Sequence, residues 1–134
     1  MKIKEWREIK KDSIELWNEI PKDEETNVEA VEGDLCTLID GVAFLIQRKN
    51  DWNNVVCIRV EPSKTNIVKT FETFRAWCES QKIQYFRVEG ISHTYKMLYL
   101  VCRMGRRNGA ECDVIFHKSE SAEYDRHIYY VKAY

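Results

Sequence analysis

The stretch VVCIRVEPSKTNIVKTF (residues 55–71) decides how the chain reads, because it passes from a strand into a helix through a turn that holds no glycine. Val55, Val56, Ile58 and Val60 form a β-branched run. From Thr65 the apolar period changes to about 3.6 residues, with Ile67, Val68, Phe71, Phe74, Trp77 and Cys78 on one stripe and Lys69, Glu72, Arg75 and Glu79 opposite. That is an amphipathic helix laid over a sheet. A strand-to-helix junction is a natural anion site, since the unpaired amides of the first helical turn point outward and the helix dipole favours negative charge. Lys64, Thr65 and Asn66 offer a cation, a hydroxyl and a carboxamide there, and Ser, Thr and Asn are equally the ordinary residues that start a helix.

Upstream, LCTLID and VAFLIQR meet at Asp40-Gly41, a dipeptide suited to the positive φ angles of a tight hairpin. The polar loop KNDWNN leads into the third run, so residues 34–60 predict a three-stranded antiparallel meander. Before it, Ile3, Trp6, Ile9, Ile14, Trp17 and Ile20 trace a helical face interrupted at Asp12-Ser13, as two short helices or one bent one, ended by Pro21. The acidic run PKDEETNVEAVEGD (residues 21–34) reads as an exposed loop.

Downstream, IQYFRV (residues 83–88) predicts a strand broken at Gly90, and Ser92 opens a second helix through Met97, Leu98, Val101 and Cys102. Arg103, Arg106 and Arg107 fall in its last turn or just beyond, where cations suit the negative end of the dipole, and Gly109 is a terminator. CDVIF and HIYYVKAY close the chain as strands, the second suited to an edge that pairs with a partner or a second copy. The whole predicts a single α+β domain: a mixed, mostly antiparallel sheet of about six strands with helices on both faces.

The bulk numbers narrow the function. A length of 134 residues matches one domain, and 21 basic against 22 acidic residues leave a net charge of −1, with no global pull toward nucleic acid or anionic membrane. The first residues are charged throughout and no apolar run reaches membrane-spanning length, so a cytoplasmic protein without membrane contact is expected. Five cysteines without a C-x-x-C pair read as reduced, packed thiols. His93, His117 and His127 show no local ligand spacing, so no metal is expected. Cys112 with His117 or His127 makes a poor nucleophile, because apolar strand surroundings raise a thiol's pKa. Arg103, Arg106 and Arg107, with Lys96, Tyr95 and Tyr99 nearby, are candidates for contact with a nucleic-acid backbone.

The element order, in which a meander precedes strand-helix-strand-helix and a final strand pair, resembles that of the GCN5-related N-acetyltransferases over roughly residues 34–134. The resemblance implies acetyl-CoA held at the glycine-rich turn after the family's fourth strand, where this chain has VVCIRV-EPSKTNI. It makes Lys64, Thr65 and Asn66 the coenzyme-binding candidates, Glu61 the general base, and Tyr95 or Tyr99 the acid, with Ser92 or His93 where the family has Asn. Tyr99 and Glu61 are the preferred catalytic pair. It also implies a cleft between the strands ending at Val60 and Val88, which Phe86 and Arg59 are placed to fill. Glycine lets the backbone approach a phosphate closely with positive φ, a conformation costing a residue with a Cβ about 1–2 kcal/mol, and Pro62 removes an amide donor. The missing glycines favour a non-catalytic protein acting through protein contacts or self-association and needing no cofactor, over an active acyltransferase or a small binder of nucleic acid or host factor. The motif Val88-x-Gly90-x-Ser92-His93 and the N-terminal helical extension resemble the small acetyltransferase-like proteins of tailed phages, which implies an accessory or virion-associated role in host cytoplasm or virion.

Overall fold

The computed structural model describes residues 13–22, 27–48, 53–62, 66–91, 95–107, 109, 111–117 and 126–134. Helix α1 spans Ser13–Glu19, followed by strands β1 (Leu35–Ile39), β2 (Val42–Gln47) and β3 (Asn53–Arg59). Helix α2 (Ile67–Ser80), strand β4 (Tyr85–Ile91), helix α3 (Tyr95–Arg107) and strands β5 (Glu111–His117) and β6 (Arg126–Lys132) complete the described elements. The order along the chain is the expected one. The part of the N-terminal helical face before Ser13 lies outside the described residues.

The six strands form one sheet in the order β1-β2-β3-β4-β6-β5, antiparallel at every junction except β3 with β4. The β1–β2 hairpin turns on Asp40 and Gly41 at φ 47° and 78°, both in the left-handed region that a two-residue turn of this hand requires. β2 is buried on both faces, and its alternation divides the core. Val42, Phe44 and Ile46 point to one side, where Phe71, Phe74 and Cys78 of α2 and Cys102 of α3 pack with Phe86 and Val88 of β4. Ala43 and Leu45 point to the other, where Leu16, Trp17 and Ile20 cover them together with Leu38. Helices therefore lie on both faces.

Phe74 organises the first core. Its ring stacks on Phe44 with centroids 4.1 Å apart, meets Phe86 edge-on at 5.4 Å and lies 5.9 Å from Trp77. Trp17 organises the second, its indole N–H donating to the Val28 carbonyl at 2.9 Å. Lys22 closes α1 by donating from Nζ to the carbonyls of Trp17 and Ile20 at 2.6 and 2.8 Å, which meets acceptors left open at a helix C-terminus.

Two departures from the sequence reading concern the last strands. HIYYVKAY supplies an interior strand rather than an edge, since β6 pairs with β4 on one side and β5 on the other. Cys102 and Cys112 are not reduced thiols but form a disulfide with Cα atoms 5.9 Å apart, joining the inner face of α3 to β5. Helix α3 packs along β5, which brings together two cysteines whose spacing matches no redox or metal motif. Both sulfur-bearing residues line a cavity of about 30 Å³ walled by Phe71, Phe86, Val101 and Tyr129. In the chain-entropy account, a cross-link closing so short a loop stabilises by about 3 kcal/mol. Reduction with excess dithiol, or the Cys102→Ser/Cys112→Ser pair, should therefore lower the melting temperature by roughly 10 °C. Alkylation of the unfolded, unreduced chain should label Cys36, Cys57 and Cys78 alone. Labelling of all five cysteines would show that the bond is absent.

Candidate functional site

The one parallel junction among the described strands is also the narrowest. β3 and β4 share three register pairs, Asn53 with Phe86, Asn54 with Arg87 and Val55 with Val88. Side chains tie this end shut: Asn53 Nδ2 donates to the Tyr85 carbonyl at 2.9 Å, and Arg87 Nε donates to Asn54 Oδ1 at 3.2 Å. Past Val55 and Val88 the strands stop pairing with each other, residues 56–59 keeping only β2 and residues 89–91 only β6. The result is a wedge between the two strands beyond their paired zone.

Gly90 sits inside this wedge without breaking β4. The strand runs on to Ile91 because its ladder with β6 stays intact, Gly90 opposite His127 and Ile91 opposite Arg126. What ends at Val88 is the pairing with β3 alone. The other wall ends in a bulge: Val60 and Glu61 both donate their N–H to the Gly41 carbonyl, at 2.7 and 3.3 Å. Gly41 thus has a second task besides the hairpin turn, since a Cβ there would run into the Glu61 carbonyl oxygen. The Asp40-Gly41 signal gave the turn; nothing in the sequence pointed to this close approach, which needs the register of β2 against β3.

Glu61 is exposed at the mouth of the wedge, directly after the bulge. Asn66 is the N-cap of α2, its Oδ1 accepting from the Lys69 N–H at 2.9 Å. The carboxamide assigned to an anion is therefore engaged by the helix's own third amide. Lys64, Thr65, Ser92 and His93 lie outside the described residues, as does the side chain of Tyr95. Tyr99 is on α3 with 56 % of its surface exposed, whereas Cys102 and Gly105 of the same helix are buried. Phe86 does not fill the wedge: it lies in the paired zone and packs under Phe74. Arg59, the last residue of β3, is exposed opposite Val42.

Of the arginine cluster, Arg106 is committed to the fold, its Nε donating to the Cys112 carbonyl at 2.6 Å. Arg103 and Arg107 are exposed, Arg107 in weak contact with the Met104 sulfur at 3.8 Å. The three unbonded thiols are poor nucleophiles at neutral pH. Burial raises Cys36 to about 12, against an opposing pull from Lys22, and raises Cys57 to about 11 and Cys78 to about 12. Among the described residues no group of three or more His, Cys, Asp or Glu side chains is placed to hold a metal ion, and no helix is long and apolar enough to cross a membrane. Comparison with family models, with curated proteins and with solved structures finds no match.

Proposed function

We propose that this chain is a non-catalytic protein built on an acetyltransferase-like plan and acting through protein contacts. The single observation that carries the reading is at the start of α2. A helix that receives a coenzyme's pyrophosphate needs a glycine-rich approach and free first-turn amides. Here Pro62 lacks an N–H, the turn holds no glycine, and Asn66 already caps the Lys69 amide. The plan itself is supported by the strand order, a meander joined through one parallel pair to the set β4-β6-β5, with β6 inserted between strands that a helix connects. A phage-encoded accessory or virion-associated role rests on the resemblance of Val88-x-Gly90-x-Ser92-His93, the glycine-free turn and the N-terminal helical extension taken together.

A second reading, an acetyl-CoA-dependent acyltransferase, is favoured by the wedge between β3 and β4 with Glu61 at its mouth. The two readings separate in a turnover assay that follows release of the coenzyme A thiol from acetyl-CoA over a panel of amines and peptide N-termini. The expected result is the uncatalysed rate, unchanged by Glu61→Gln or Tyr99→Phe. Turnover lost in either variant would establish the acyltransferase and overturn the first reading.

A further inference from the structure

Helix α3, YKMLYLVCRMGRR, carries Lys96, Arg103, Arg106 and Arg107 and not one carboxylate. Its outward face joins two of these cations to apolar surface. Tyr99 and Leu100 are 56 % and 47 % exposed, and Leu100, Arg103 and Arg107, spaced three and four apart, share one helical stripe on which both arginines are exposed. Tyr99 and Leu100 are two of the five large apolar side chains exposed among the described residues, and they alone are neighbours in sequence, which makes a patch rather than scatter. Arg106 is not counted with them, since its Nε is committed to the Cys112 carbonyl.

The carboxylates nearest in the fold do not neutralise this stripe. Cys112 is bonded to Cys102 on the inner side of α3, so Glu111, its neighbour on an alternating strand, projects from the opposite face of the sheet, where its register partner is Lys132. On α2, which packs beside α3, Glu72 is held by Arg75 at 2.7 Å. Among the described residues no carboxylate pairs with Arg103 or Arg107, and Arg107 has only its weak contact with the Met104 sulfur. Arginines in a last turn suit the negative end of the helix dipole, but that role asks for no exposed tyrosine and leucine beside them.

We infer that the outward face of α3 docks an acidic amphipathic helix of a partner protein, laid antiparallel to α3. This rests on the reading that the protein acts through protein contacts, and it names the partner's chemistry. Two helices side by side meet along stripes of the same period. Carboxylates three and four residues apart on the partner therefore fall opposite Arg103 and Arg107, and an apolar residue one turn away falls on Leu100, with Tyr99 beside it. The dipoles set the antiparallel sense: it brings the partner's N-terminal turns, where carboxylates are favoured, to the C-terminal turns of α3, where the arginines stand. The phosphates of a nucleic acid would take up the guanidinium groups and leave Leu100 without an apolar partner, which favours a protein. A second copy of α3 would oppose arginine to arginine. So few residues make a small, transient interface that salt weakens.

The test is fluorescence anisotropy of a labelled synthetic helix titrated with the full chain. The probe has about 18 residues, long enough to hold a helix, with a serine cap, glutamates in its first two turns and leucines at helical spacing. Half-saturation is expected on the order of 0.1 mM in about 0.01 M salt, and about tenfold weaker or worse in about 1 M salt, where the screening length falls from about 30 Å to about 3 Å. Arg103→Glu/Arg107→Glu should abolish binding with unchanged melting temperature, and should instead bind a probe with lysines in place of the glutamates. Leu100→Ser should weaken binding about fivefold, the share of a half-exposed leucine, and Glu111→Gln should leave it unchanged. No binding by the wild type at about 1 mM, a double variant that binds as the wild type does, or equal binding of a probe whose glutamates are moved to its last two turns would each overturn the inference. So would a single-stranded oligonucleotide or a phosphatidylserine vesicle that binds more tightly than the probe through the same two arginines. Melting curves with acetyl-CoA separate the two claims. A chain indifferent to both probe and acetyl-CoA rejects the docking face but not the non-catalytic reading, and a chain that binds the probe and is stabilised by acetyl-CoA does the reverse.

Discussion

Phe74→Ala is expected to destabilise the protein by about 3–5 kcal/mol, the usual range for emptying a buried aromatic site. The ring is fully buried and touches strands on both sides of the β3–β4 junction: Phe44 of β2 at 4.1 Å and Phe86 of β4 at 5.4 Å. It stands over the place where the parallel pair is only three residues wide, so little backbone pairing compensates for its loss. Urea unfolding followed by far-ultraviolet circular dichroism measures the effect. A stability of about 5–15 kcal/mol is usual for a domain, so the variant should lose about a fifth of it or more. A loss below about 1.5 kcal/mol, the range of tolerated volume-conserving swaps, would mean that Phe74 is not the keystone of this face.

Trp17→Ala should cost about as much, 3–5 kcal/mol at order of magnitude, through the opposite face. The indole is fully buried between α1 and the β1–β2 hairpin, and its removal also leaves the Val28 carbonyl without its donor. Trp17→Phe keeps most of the packing and deletes that hydrogen bond, so it isolates a smaller loss of about 1 kcal/mol. The two clusters share no side chain, since Phe44 and Leu45 point to opposite sides of β2, so the Phe74 and Trp17 losses should add within about 0.5 kcal/mol. Strong non-additivity would show that the faces are coupled through β2.

Local pattern carried the elements and long-range pairing carried what the sequence did not reveal. Asp40-Gly41 announced its hairpin because a two-residue turn needs positive φ, and both residues have it. The helix stripe from Ile67 to Cys78 was legible because its period is intrinsic, and Asn66 takes the cap that its residue type suggested. Gly90 was misread as a strand end because a glycine weakens a strand only where no neighbour holds it, and the β6 ladder holds this one. The interior place of HIYYVKAY and the Cys102–Cys112 bond both depend on how β5 and β6 return to the sheet, which no window of a few residues encodes. The candidate site was legible in part: Glu61 and Asn66 lie where the strand-helix junction put them, while the wedge, the bulge and the second task of Gly41 follow from register alone.

The most direct measurement is the melting temperature with and without millimolar acetyl-CoA. A ligand that binds only the native state stabilises by mass action, about 2.7 kcal/mol at a hundredfold excess over its dissociation constant, or roughly 10 °C for a domain of this size. The account predicts no shift, because the turn before α2 lacks glycine and its cap is already engaged. An upward shift of several degrees, lost in Lys64→Ala, would contradict it and make the junction of residues 61–66 a working coenzyme site.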